Sequence, residues 1–312
     1  VGIGGAGGRV ARQAGGRIGC NCLIVSNDKR DLGEDRSIFV NTHPHINPSV
    51  QKVRHFFSAK EGQFASAIEG YNTVVIVSNL AGTAGAAMAP AACAIASRSA
   101  TVISFAIMPF GFEKERHFAA GVALRRVRAA SHSTIVADNG ALSDNNPDLS
   151  FEECISLLNS ALADVAASVA AKGAGPDLNI LATGRASLDG PLRDPLSMLF
   201  SGATEIGRAV VYVMGGDKLS LGALDDIASC ARGVFGQDGA TEVLLSVEPA
   251  GGSAQTRVHV VASAPSKTRF DRYDPLGEVI PADSHLDWDE PDSAPEMGLA
   301  AVAAAVAIPA ME

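Results

Sequence analysis

The sequence is poor in aromatic residues, which make up 5% of it and include one tryptophan and three tyrosines. No stretch reaches the roughly 18 to 20 uncharged apolar residues that a membrane-spanning helix needs, and no basic-then-apolar leader opens the chain, so direct membrane insertion is not expected. An excess of positive charge is also missing. Lys and Arg number 25 against 34 Asp and Glu, and the resulting net charge of -9 repels nucleic acid and anionic bilayers. Cysteine is scarce and odd in number: Cys20, Cys22, Cys93, Cys154 and Cys230, four of them among apolar neighbours, argue against a disulfide framework and for a cytoplasmic setting. Cys20 and Cys22 lack a redox spacing and are expected in the core. His43 and His45 have no third ligand nearby, so no metal site is expected.

What is present suffices for two packed domains: 312 residues, 47% of them apolar. Short β-branched runs at 22–27, 73–79, 101–107 and 133–138 read as buried parallel strands. Between them, 85–97, 113–130 and 151–171 carry apolar residues at helical spacing and are long enough to cross back over a sheet. The alternation predicts a Rossmann-like, doubly wound α/β domain over 1–172 that ends in a long central helix. Gly173, Gly175 and Pro176 break that helix and mark a hinge. Strand-like runs at 178–182, 209–214, 242–247 and 257–262, with helices at 195–206 and 220–234, predict a smaller α+β domain over 177–264. From 265 to 312 the composition turns to Pro, Asp and Ser, and a disordered acidic tail with an alanine-rich end is expected. Arg125, Arg126 and Arg128 form either a solvated basic face or a dock for that tail.

Gly2, Gly4, Gly5, Gly7 and Gly8 crowd the start of the chain ahead of a helix-like run from Arg9. This is the layout of a loop that turns backbone N–H groups toward a phosphate. The chain opens at Val1 directly on that loop, so a first strand cut short is expected. Gly2, Gly4 and Gly7 also fit the glycine spacing of a dinucleotide-binding enzyme, with Asp28 as its ribose-binding carboxylate. A ligand-free strand-to-helix turn fits as well. A second small-residue loop, Gly82-Thr83-Ala84-Gly85, follows the strand at 73–79. An NAD(P)-dependent enzyme has no need of it, whereas a mononucleotide gripped by its phosphates from two sides does.

With both loops in view, the chain resembles the FtsZ/tubulin family. Residues 2–10 are similar to the first FtsZ loop, and 81–86 to the family's glycine-rich signature, with Ala81, Ala84 and Ala86 in place of glycines. Residues 108–116 resemble the FtsZ segment whose glutamate and arginine contact the nucleotide's sugar. Glu113 takes the first role; the arginine's place falls on His117, with Arg116 one residue away. Asn27 matches the asparagine of the second FtsZ loop. Residues 151–158 align with the FtsZ central helix, whose base-reading asparagine and aspartate are Ile155 and Ser156 here. The resemblance implies nucleotide contacts from Gly4, Gly5, Gly7, Gly8, Arg9, Asn27, Gly82, Thr83, Ala84, Gly85, Glu113, Arg116, His117 and Ser156. It also implies GTP or GDP with Mg2+ as companion, and assembly with itself or another FtsZ-like protein in cell division. The family's catalytic loop finds no counterpart carboxylate, because 178–187 is similar to a later strand instead. Hydrolysis is therefore expected to be weak or absent, with no catalytic residue assigned. A nucleotide-free pseudo-GTPase scaffold is the alternative.

Overall fold

The structure, a computed structural model, describes residues 1–43, 45, 47–173, 177–185, 192–235, 241–248, 256–266 and 268–275. Ten strands join in one sheet: β1 (Gly2–Ile3), β2 (Leu23–Ser26), β3 (Arg36–Phe39), β4 (Thr73–Asn79), β5 (Thr101–Met108), β6 (Ser133–Asp138), β7 (Ile180–Thr183), β8 (Arg208–Met214), β9 (Glu242–Glu248) and β10 (Arg257–Ser263). Their order is β3-β2-β1-β4-β5-β6-β7-β10-β8-β9. The first seven are parallel, and β10 runs antiparallel between β7 and β8. The expected α/β class holds. The sheet continues from β6 into β7, so the C-terminal unit extends the same sheet, and residues 174–176 of the expected hinge lie outside the described residues.

The central strands are β-branched and buried on both faces, as parallel strands under helices must be. The chain steps from β1 to β2 toward one edge of the sheet, and from β4 to β5 toward the other. Right-handed crossovers then force the helices following β1 and β4 onto opposite faces. Accordingly α1 (Gly4–Ile18) packs on α7 (Phe151–Lys172), while α4 (Thr83–Ala96) packs among α2 (Val50–Ser58), α3 (Glu61–Ile68) and α5 (Lys114–Ala130). The remaining helices are α6 (Asn139–Asn145), α8 (Arg193–Gly202) and α9 (Leu221–Phe235).

Helix α7 opens on a capping box, in which the Ser150 hydroxyl accepts from Glu153 N–H and the Glu153 carboxylate accepts from Ser150 N–H. Among the described residues it is the one helix long and apolar enough to cross a membrane, yet most of its apolar stretch is buried, which marks it as a core helix. Its single buried charge, Asp164, is ion-paired with Arg17 of α1 and with Arg257 of β10 at 3.0 Å. His259 lies 3.1 Å away through Nε2. Burial pushes the Asp164 carboxyl up, but His259 and Arg257 outweigh it and hold it below the usual value. One carboxylate thus ties the first helix, the central helix and the C-terminal strand together.

The acidic tail expected from residue 265 begins too early. Residues 269–273 form a 3-10 turn whose Phe270 is fully buried. Arg128 pairs with Asp271, and Arg125 with Asp274 at 3.0 Å, so two acids of this strap neutralise part of the α5 basic cluster. The strap stays ordered because a buried aromatic ring adds about 2 to 3 kcal/mol of burial to those ion pairs.

Candidate functional site

The sheet reverses its winding between β1 and β4, which pair in register Gly2↔Val77 and Ile3↔Ser78. In open α/β sheets the crevice beyond the strand ends at such a point is where ligands bind. Two helices begin there. Neither α1 nor α4 has a side-chain cap or an acidic residue in its own first turn, so neither helix satisfies its first N–H groups with its own side chains. The two starts touch: a methyl group on Gly4 would stand 3.0 Å from Ala84 Cβ, and Gly4 has a left-handed φ of 68°. Asn79 shapes the second loop, accepting from Ala81 N–H at 3.0 Å through Oδ1 and from Gly82 N–H at 3.1 Å through its carbonyl. The two expected phosphate loops are therefore neighbours on one edge of the sheet.

Their glycines serve two purposes. A methyl on Gly7 would collide with the Val77 carbonyl oxygen, and one on Gly85 with the Asn79 carbonyl oxygen. These two let α1 and α4 lie close on the sheet, whatever is bound. The first loop is also mostly helical, since α1 already starts at Gly4. Gly4, Gly5 and Gly82 meet no such backbone clash: Gly4 is buried against Ala84, while Gly5 and Gly82 are half-buried. Thr83 and Arg9 are exposed, and Gly8 packs on Ile24.

Gly5 faces a carboxylate that no sequence motif marks. A methyl there would stand 2.5 Å from Asp31 Oδ1. Asp31 accepts from the Ser26 hydroxyl at 2.7 Å, and Arg12 holds its segment by donating to the carbonyls of Asp31 at 2.6 Å and Leu32 at 2.9 Å. A negative group beside an uncapped helix start is favourable, and it occupies the place an anion would take.

Along the same sheet edge, Asn27 follows β2, and the sugar-side residues follow β5. Glu113 Oε2 accepts from Phe110 N–H at 3.0 Å, and its Oε1 pairs with Arg116 at 2.9 Å. The two residues expected on ribose are thus paired with each other. His117 bonds the Phe110 carbonyl at 3.0 Å and stacks on Tyr273 of the strap, with ring centroids 4.1 Å apart, so it supports the loop from behind. Phe151, at the head of α7, lies 5.0 Å from Phe110 and 6.4 Å from Phe112, centroid to centroid. Phe112 and Phe151 are exposed, so an aromatic face opens at this end of the edge. Neither Phe112 nor Phe151 is among the nucleotide contacts expected from the sequence. Ser156 is exposed one turn further along α7, and Ile155 packs on the core. A cavity of about 910 Å3 lies elsewhere, between α5, the end of α8 and the strap, lined by Leu124, Arg125, Asn179, Phe200 and Arg272 among others. The strand-end geometry, rather than that cavity, carries the functional reading.

The fold and its paired helix starts define a class: a doubly wound α/β protein with two uncapped helix starts at its switch point. The family model described as "Tubulin/FtsZ family, GTPase domain" matches residues 51–147. FtsZ from M. jannaschii, solved as an empty dimer, superposes with a TM-score of 0.68 at 17% identity over 84% of this chain and 86% of that one. CetZ2 from Haloferax volcanii, solved as a GTPgS-bound protofilament, gives 0.65 at 17% identity over 87% and 96%. TubZ of Clostridium botulinum phage c-st gives 0.56 at 12% identity over 88% and 95%. No curated protein matches the chain. Residues 51–147 thus match the family's GTPase domain, and the chain shares the fold of FtsZ, CetZ and TubZ.

Proposed function

We propose that the chain is a cytoplasmic, FtsZ-like protein that binds GTP or GDP, associates with itself or a related filament protein, and hydrolyses nucleotide weakly or not at all. The observation that carries this is the pair of touching, uncapped helix starts at the switch point. In this reading Gly4, Gly5, Gly82 and Thr83 present N–H groups to the phosphates, while the exposed rings of Phe112 and Phe151 offer apolar contacts to the base. Ile155 and Ser156 supply no carboxylate, so selectivity for guanine is reduced. Mg2+, where it accompanies the nucleotide, has Asp31 as the one carboxylate facing Gly5 and would offset phosphate charge there.

Weak hydrolysis rests on the connection after α7. Only residues 173–179 separate it from β7, and their single carboxylate, Asp177, sits 3.5 Å from Arg208. Without an acid to orient water, phosphoryl transfer loses most of its catalytic help. The dinucleotide alternative is less favoured, because Asp28, its ribose carboxylate, is bonded to the side chain and backbone of Arg30, which hold it down at about 2.

Thermal denaturation with GDP, GTP, ATP and NADP tests this reading. A ligand at 100 times its Kd stabilises by about 2.7 kcal/mol, so guanine nucleotides should raise the Tm by several degrees and NADP should not. A shift with NADP alone refutes the proposal, and no shift with any nucleotide favours a pseudo-GTPase scaffold.

A further inference from the structure

All five cysteines are free, and two of them meet at the far end of α1 from the glycine edge. Cys20 is exposed rather than in the core as expected, and Cys22 is half-buried, its Sγ donating to the Ala11 carbonyl at 2.9 Å. Both approach Gly15. A methyl there would overlap Cys22 Sγ and stand 3.7 Å from Cys20 Sγ, so the two sulfurs lie within about 6 Å of each other. Any larger residue at position 15 would drive them apart. The chain bends tightly here, with Gly19 left-handed at φ 65° and Cys20 N–H bonded to the Gly15 carbonyl at 3.0 Å. Residues two apart span at most about 7 Å between Cα atoms, and any bend brings them inside the 4.4 to 6.8 Å that a disulfide tolerates.

We propose that Cys20 and Cys22 are a redox modification site, at which a hydroperoxide converts the two thiols into one intrachain disulfide. The Cys20 thiolate attacks a peroxide oxygen, forming an S–O bond and breaking O–O, and the departing hydroxide takes a proton to become water. Cys22 then loses its proton and attacks the Cys20 sulfur, forming S–S while the S–O bond breaks and a second water leaves. Two thiols and one hydrogen peroxide give one disulfide and two waters. Cys20 goes first because it is open to solvent, whereas burial raises the Cys22 thiol and its hydrogen bond to Ala11 must break. Rings closed over one residue are strained, which places the disulfide among the readily reduced, switch-like kind.

The test treats the full native chain with one equivalent of hydrogen peroxide, followed by thiol titration and mass spectrometry of the tryptic peptide 18–29, which holds only these two cysteines. The expected result is loss of two of the five thiols and about 2 Da from that peptide, both reversed by dithiothreitol. Cys20→Ser, an exposed change, should abolish the product while the protein melts as before. Cys22→Ser should trap Cys20 as a sulfenic acid that dimedone labels. A mass gain of sulfinic acid at Cys20 with Cys22 still reduced, or peroxide-driven dimers through Cys20, overturns the proposal.

Discussion

Replacing Asp31 with asparagine should tighten the binding of GDP in metal-free buffer. The Asp31 carboxylate lies against Gly5 at the start of α1, where a phosphate would be held. Asparagine keeps its shape and its bond to the Ser26 hydroxyl while removing the charge. Two unit charges about 6 Å apart repel by roughly 0.7 kcal/mol at the dielectric of water and about 2.8 kcal/mol at an effective dielectric of 20. Asp31 is half-buried, between these limits, so Asp31→Asn should lower the Kd for GDP by roughly 3- to 100-fold. Titration calorimetry in EDTA at low and high salt reads this directly, and the gain should shrink as salt screens the repulsion. Added Mg2+ should erase or reverse the gain, because the carboxylate then faces a cation. Weaker GDP binding by the variant in EDTA, at unchanged Tm, would refute the placement of phosphate beside Gly5.

The two kinds of glycine should separate cleanly in urea denaturation. Gly85→Ala is expected to cost about 1 to 3 kcal/mol without any nucleotide, whereas Gly82→Ala should leave stability nearly unchanged and weaken only nucleotide binding. Asp164→Ala removes the shared partner of Arg17 and Arg257 and should cost about 3 to 5 kcal/mol. Burial holds His259 below its usual value despite the neighbouring Asp164, so the unfolded chain takes up this proton first as pH falls. Its contribution is therefore present above about pH 6.5 and lost as the pH drops below that value toward the depressed native one. The urea midpoint should accordingly fall between pH 7.5 and 5.5, and His259→Asn should flatten that fall. Phe270→Ala should cost about 3 to 5 kcal/mol and release the strap, seen as faster amide exchange on the outer face of α5.

Elements buried on both faces were the most legible in the sequence. The runs at 73–79 and 133–138 coincide with β4 and β6, because a strand covered by helices on each side must be apolar and β-branched throughout. Helix α1 was harder to read. Gly4, Gly5, Gly7 and Gly8 at its start suggested a loop, yet close packing on β4 demands glycine at position 7, and that requirement outweighs poor helix propensity. Short elements such as β3 (Arg36–Phe39) carry too few residues to show a period. Of the candidate site, the two neighbouring helix starts were visible because glycines mark them. The mutual pairing of Glu113 with Arg116, and the stacking of His117 on Tyr273, were not legible, since they depend on contacts that sequence spacing does not encode. Asp31 was missed because only the approach of Gly5 gives that carboxylate significance.

The strap also decides how the molecule would carry load. A chain that ended at β10 would pull on the sheet between β7 and β8, but here the last described residues are bolted along α5 by Phe270, Asp271 and Asp274. Any tether fastened beyond Pro275 would tug first on α5 and, through His117, on the loop that borders the sugar side. Tension from outside would reach the edge proposed for nucleotide before it reached the C-terminal strands.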